Sequence, residues 1–203
     1  MKRIIGIAGR ICSGKDAVAE YLARIYHAER IAVSDTLYAA LRLFGIPEGR
    51  YAAQILSTFL REHFGQDVLE KALLQKIQRS KRETIIISSI RRPEDIVTLR
   101  ERYPFKLVMI EADLIARHEW HVQRNKGRGD RVMSFTEFKE RDSFETEITI
   151  DKLHSQATHV ITNNGTLDHL YAKAEGAMAA LERYFSNPNA AGKITLEDTT
   201  TIS

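Results

Sequence analysis

Residues 9 to 15 read Gly-Arg-Ile-Cys-Ser-Gly-Lys, a GxxxxGK spacing suited to wrapping main chain around a polyphosphate. Gly9 and Gly14 let the backbone turn where a side chain would block it, so the N–H groups across Ile11, Cys12 and Ser13 can point at phosphate oxygens. Lys15 is placed to reach the β and γ phosphates, and a helix starting at this point adds favourable dipole charge. Asp16 follows where the motif expects a Ser or Thr hydroxyl on magnesium. A carboxylate there can hold Mg2+ directly or through a water, because hard cations prefer oxygen ligands. The helix dipole alone also favours an acid in a first turn, and that second reading stays open. Cys12 is the single cysteine and is read as a small passive loop residue.

The loop needs a strand before it and a helix after it. Arg3 to Ala8 is a nearly continuous apolar run, as in a strand buried on both faces of a parallel sheet, and Asp16 to Tyr26 carries Val18, Leu22 and Ile25 at helical spacing. Further apolar runs at Ile31 to Val33, Thr84 to Ile87, Leu107 to Ile110 and His159 to Thr162 alternate with helical pattern. That rhythm predicts repeated βαβ units, an α/β fold with a five-stranded parallel sheet and helices on both faces. Between Val33 and Thr84 lies a long helical crossover, with segments at Thr36 to Leu43, Tyr51 to Phe64 and Asp67 to Arg79, long enough to cover a ligand. Leu114 to Thr146 reads as two helices joined by NKGRGD, the second opening with Ser134 and Glu137 at capping-box spacing. A last helix runs from Thr166 to Phe185.

With the motif and its setting, GRICSGKDAVAEYL resembles the GKD variant of P-loop nucleotide kinases, among them deoxynucleoside monophosphate and phosphomevalonate kinases. The resemblance implies the three-layer P-loop NTPase fold with strand order 2-3-1-4-5, and transfer of the γ-phosphoryl group of ATP, with Mg2+, to a small phosphorylated acceptor such as a (deoxy)nucleoside monophosphate. VSDTLYAAL, from Val33, resembles the acceptor segment of nucleoside monophosphate kinases, with Asp35 matching its acid. Asp35 is equally a good helix cap. Tyr38 replaces the arginine of that segment, so Arg42 or Arg61 is the expected substitute. TIIISSIRRPEDIVTLRE, from Thr84, is similar to archaeal nucleotide-kinase-like and dephospho-CoA-kinase-like proteins, and Arg91 matches their arginine. An arginine leaving the carboxyl end of a parallel strand points into the crevice where open α/β sheets bind ligands. Ser88 stands where the usual magnesium-binding carboxylate would be, so Asp16 and Ser88 together are read as the metal-binding pair, the two chemical groups exchanged between loops.

RHEWHVQRNKGRGD, from Arg117, resembles the arginine-bearing lid of the same families, with Arg117 toward the nucleotide and Arg124 and Arg128 toward the transferred phosphoryl group. Arg128 lies between Gly127 and Gly129 and is expected on a loop. Asn163, at the end of the last strand, is expected near adenine. Two other classes remain open on sequence: a dephospho-CoA kinase, in which Asp35 would act as base toward a hydroxyl, and a nucleotide-binding switch with little turnover.

The 203 residues, 43% hydrophobic, suit one main domain, read as residues 1–185 with an acceptor-binding region at about 34–80 and a lid at about 114–133. Residues 186–203 read as a flexible tail. A formal charge of +3 without dense basic runs argues against nucleic acid as a partner, and no apolar run is long enough for a signal peptide or membrane span. A lone cysteine excludes an internal disulfide and points to the cytoplasm. Monomer and homodimer are both compatible with these features. Replacing Lys15 with Ala should abolish the calorimetric heat of Mg-ATP binding; heat equal to wild type would overturn the phosphate-loop reading.

Overall fold

Isoleucine-rich runs form the centre of the structure, a computed structural model that describes residues 1–128, 131–146 and 149–186. Strands β1 (Arg3–Gly9), β2 (Glu29–Ala32), β3 (Thr84–Ile90), β4 (Phe105–Glu111) and β5 (His159–Thr162) pair in parallel in the order β2-β3-β1-β4-β5, the order expected. Side-chain alternation divides the core in two. Ile5 and Ile7 of β1 pack with Val18 and Leu22 of α1 (Lys15–Ile25) and with Met178 and Leu181 of α9 (Leu167–Ser186). On the opposite face Ile4 and Ala8 join Leu37 and Leu41 of α2 (Val33–Leu43), Ala53 of α3 (Arg50–Phe64) and Leu73 and Ile77 of α4 (Val68–Arg79).

Two expectations change at element ends. Val33 does not close a strand but opens α2, because the Asp35 carboxylate accepts the Ala32 N–H at 2.9 Å and caps the helix there. Gly127 and Arg128 do not sit on a loop: α6 (Leu114–Arg128) runs through both, and the Arg128 side chain, like Gly129, lies outside the described residues. The expected capping box of α7 (Phe135–Thr146) is present, with Ser134 N–H donating to Glu137 at 2.8 Å and Glu137 N–H donating to Ser134 Oγ at 3.3 Å. The segment read as a tail lies, from residue 187 onward, outside the described residues. No described helix is long and apolar enough to cross a membrane.

α5 (Val97–Arg102) falls in the helical pattern expected between the third and fourth apolar runs, whereas a 3-10 turn at Pro93–Asp95 and α8 (Ile150–His154) were not expected, being too short to show a helical period. The 3-10 turn and α5 carry the chain away from the end of β3, and α5 is tied down by the buried Glu70 of α4. Its two oxygens accept the Thr98 hydroxyl at 2.8 Å and the Leu99 N–H at 3.1 Å. Glu70→Ala should lower unfolding free energy by about 1.5–3 kcal/mol, the range for hydrogen bonds to a charged group, read as a drop in urea midpoint at constant slope.

Candidate functional site

The stretch between β1 and α1 turns through positive φ at three residues, Gly9 (154°), Cys12 (59°) and Gly14 (95°). The two glycines are required by space as well as by angle. A Cβ on Gly9 would run into the Ile110 carbonyl oxygen and Ser13 Oγ, and one on Gly14 would come within 2.8 Å of the Asn163 amide nitrogen. The carbonyls of the loop are taken up from beneath and beside it: Ser13 O accepts the Asn163 side-chain amide at 2.9 Å, Ile11 O accepts Arg117 Nη1 at 3.2 Å, and Arg10 O accepts the Ser13 N–H at 3.2 Å. Lys15 opens α1 buried, with Nζ 3.4 Å from the half-exposed Asp16 carboxylate.

Beside this loop, at the end of β3, a bulge opposes Ser88 and Ser89 to Ile7 alone, since Gly6 pairs with Ile87 and Ala8 with Ile90. Ser89 takes φ 62° there, an uncommon state for a residue with a side chain. The bulge resets the strand's phase: Ile87 and Ile90 both reach the face carrying α2 and α4, and Ser88 is sealed from solvent next to Ala32 of β2. Among the described residues, the buried hydroxyl oxygens of Ser13 and Ser88 have no hydrogen-bond partner. Buried hydroxyls left this way need an explanation, and a ligand at the loop is one.

The strand end leads into a cleft of about 590 Å3 walled by Ser34 and Tyr38 of α2, Ser57 of α3, Ser89, Arg91 and Arg92. At its base Arg61 and Asp95 form a buried ion pair, and Arg61 also donates to the Gln66 carbonyl. Asp95 thus offsets Arg61, while Arg91 and Arg92 leave the cleft positive. Burial pulls the Arg91 guanidinium below its ordinary pKa, opposed first by Asp16 and then by Tyr38, so these groups share one field. Arg42, which with Arg61 was one of the two expected substitutes for the acceptor-segment arginine, pairs with Glu48 on the surface at 2.6 Å.

A second hollow of about 550 Å3 flanks the loop on its β4–β5 side, lined by Arg10, Glu111, Asp113, Arg117, Asp151 and His154. Arg117 and Arg124, seven residues apart on α6, differ sharply: Arg124 is exposed and Arg117 is 3% exposed. Arg117 donates to Ala112 O at 2.9 Å and, through both terminal nitrogens, to Asp142 at 2.6 and 2.8 Å. Burial pushes the Asp142 carboxyl up, but Arg117 and Arg10 outweigh it and hold the group below the usual carboxylate range. Asn163, expected at adenine, lies buried against the loop's underside.

Sequence reasoning overlooked Arg10, Arg141 and Asp142. Arg141 reaches the field of Arg91 from α7. The pattern around Arg141 and Asp142 gave no sign of them, because α7 has almost no apolar stripe from which to read its inward face.

This arrangement defines a P-loop kinase-type α/β fold. The chain is similar to a gluconokinase from Sinorhizobium meliloti (TM-score 0.58, 17% identity, 92% of this chain and 97% of that one) and to a shikimate kinase from Acinetobacter baumannii (TM-score 0.56, 14% identity, 90% and 94%). At such identities the likeness is one of fold. In sequence it is similar to the UPF0200 protein of Methanothermobacter thermautotrophicus, 26% identical over 179 residues that make up 88% of this chain and 90% of that protein. No family model matches the sequence.

The joint between α6 and α7 is held by neutral imidazole. His121 Nε2 accepts the Met133 N–H at 3.1 Å, and Asn125 donates to Arg131 O at 2.9 Å. Burial, then Arg124, His118 and Arg141, lower the His121 pKa from 6.5, so the folded protein binds fewer protons than the unfolded chain just below that pH. Stability should therefore fall as pH drops from 6.5 toward the depressed folded value, with half-buried His159 adding in the same direction. Urea midpoints measured against pH should flatten in His121→Gln; an unchanged slope would contradict this account.

Proposed function

We propose that the protein is an ATP-dependent phosphotransferase that moves the γ-phosphoryl group onto a small phosphorylated metabolite, a (deoxy)nucleoside monophosphate being the leading acceptor. The observation that carries this is the loop itself: three left-handed residues, with their neighbouring carbonyls bonded away from the mouth, ending at a buried lysine on a helix start. Gly9, Ile11, Cys12, Ser13 and Gly14 line the main-chain cradle, the Ser13 N–H being given to the Arg10 carbonyl within it, and Lys15 meets the β and γ phosphates. Flanking hollows on either side of the loop support a reaction of two substrates. The positive cleft with Arg91 suits an acceptor that already carries phosphate. A phosphoryl group in flight spreads charge over its equatorial oxygens, and Arg91, with Arg124 and Arg128 of the lid, supplies the compensating cations.

Ser13, Ser88 and Asp16 are oxygen donors of the kind Mg2+ prefers, and the two orphaned hydroxyls fit that ion at the loop. When bound, Mg2+ neutralises charge on the β and γ phosphates. Arg117 and Asn163 enter this proposal as supports of the loop, given the groups they bond.

Asp35 bears on the acceptor. One of its oxygens caps α2, a structural duty that favours an acceptor needing no base over a hydroxyl acceptor such as dephospho-CoA. Single-turnover assays with γ-labelled ATP and a panel of nucleoside monophosphates, dephospho-CoA and phosphomevalonate test the reading. Label should reach a monophosphate, and Asp35→Asn should slow transfer without abolishing it. Label released to water with every acceptor would mark a nucleotide-binding switch instead.

A further inference from the structure

Four charged side chains lock together beside the loop, and one carboxylate sits at their centre. Asp142 Oδ2 accepts Arg10 Nη1 at 3.2 Å and Arg117 Nη2 at 2.8 Å, its Oδ1 accepts Arg117 Nη1 at 2.6 Å, and Arg10 Nη2 reaches Asp151 at 3.3 Å. Arg10 is itself the second residue of the loop, and the same Arg117 Nη1 holds the carbonyl of Ile11, the third. Asp142 and Arg117 are both nearly sealed from water, at 4% and 3% exposure.

From this we infer that Asp142 is the positioning residue of the phosphate loop: it aims Arg117 at the Ile11 carbonyl and tethers Arg10, so that the outer limb of the loop keeps the shape in which its amides face a polyphosphate. The inference rests on the proposed nucleotide site. Two features make the role more than packing. A carbonyl that turns outward would set its negative end against the incoming phosphates, so holding Ile11 O inward keeps the site favourable to an anion. The guanidinium can do this only if aimed, and the two parallel bonds to one carboxylate fix a plane, which a lysine or a single bond would not. The inner limb is held separately, by Asn163 on Ser13 O, so loss of Asp142 frees one side of the loop and not the whole of it.

Because α7 supplies Asp142 and also Ser143, which lines the acceptor cleft, the same helix touches the donor loop and faces that cleft. The arrangement of the lid arm is thereby tied to the geometry of the loop.

The test must separate aiming from mere stability, since removing one partner of a buried pair leaves the other uncompensated. Calorimetry with Mg-ADP reports affinity and the binding-competent fraction independently, and needs no turnover. Asp142→Asn should weaken Mg-ADP binding about tenfold or more while the stoichiometry stays near one per chain. In the double variant Arg117→Met/Asp142→Leu the buried charges are gone together, so thermal stability should recover while affinity stays weak. Affinity that recovers with stability, or an Asp142→Asn protein with wild-type affinity, would overturn the assignment. Wild-type protein that binds no Mg-ADP would instead overturn the nucleotide site on which it rests.

Discussion

The loop from Gly9 to Lys15, on the proposed function, presents main-chain N–H groups to an anion while its carbonyls, the opposite ends of the same peptide dipoles, are satisfied elsewhere. Much of the rest of the molecule can be understood from that requirement. Left-handed turns at Gly9, Cys12 and Gly14 set the peptide planes, and three carbonyls then find donors inside the protein: Arg10 O from Ser13, Ile11 O from Arg117, Ser13 O from Asn163. Those donors come from the loop, from α6 and from the end of β5. A local motif of seven residues therefore relies on partners more than a hundred residues away in sequence.

The sheet makes those partners available. With β1 in the middle, β3 and β4 deliver their carboxyl ends to either side of the loop, and the crevice of an open parallel sheet opens there. On the β3 side the bulge at Ser88 and Ser89 moves the strand's phase by one residue, burying a hydroxyl beside the loop while sending Arg91 toward the cleft. On the β4 side, Arg117 of α6 is bonded back to the Ala112 carbonyl just after the strand. The crossover helices α2 to α4 then close the cleft from the β2 side, with the Arg61–Asp95 pair forming its base. In a desolvated setting that pair is not a strong source of stability, since desolvation offsets much of its attraction. Its consequence is electrostatic: it removes one positive charge from the balance of the cleft and leaves Arg91 and Arg92 to set its sign.

Much of this was legible in the chain. The glycine spacing, the apolar runs and the helical periods are local signals, so they determined the glycine loop, the five parallel strands and the long helices, and even the Ser134–Glu137 capping box, while the order of the strands came with the family resemblance. Local signals also left Asp35 with two readings, and the structure gives it the capping bond. What tertiary structure alone decided is which charged residues face which. Arg117 and Arg124 share a spacing that predicts one common face, yet one is locked on Asp142 and the other lies in solvent. Asn163 reads as a contact to adenine, and its side-chain amide instead bonds the loop carbonyl of Ser13. Asp142 carries no sequence signal at all. The physical reason is that a guanidinium or carboxylate is equally at home in water along any helix, and its partner is selected only when distant elements are brought within hydrogen-bond reach.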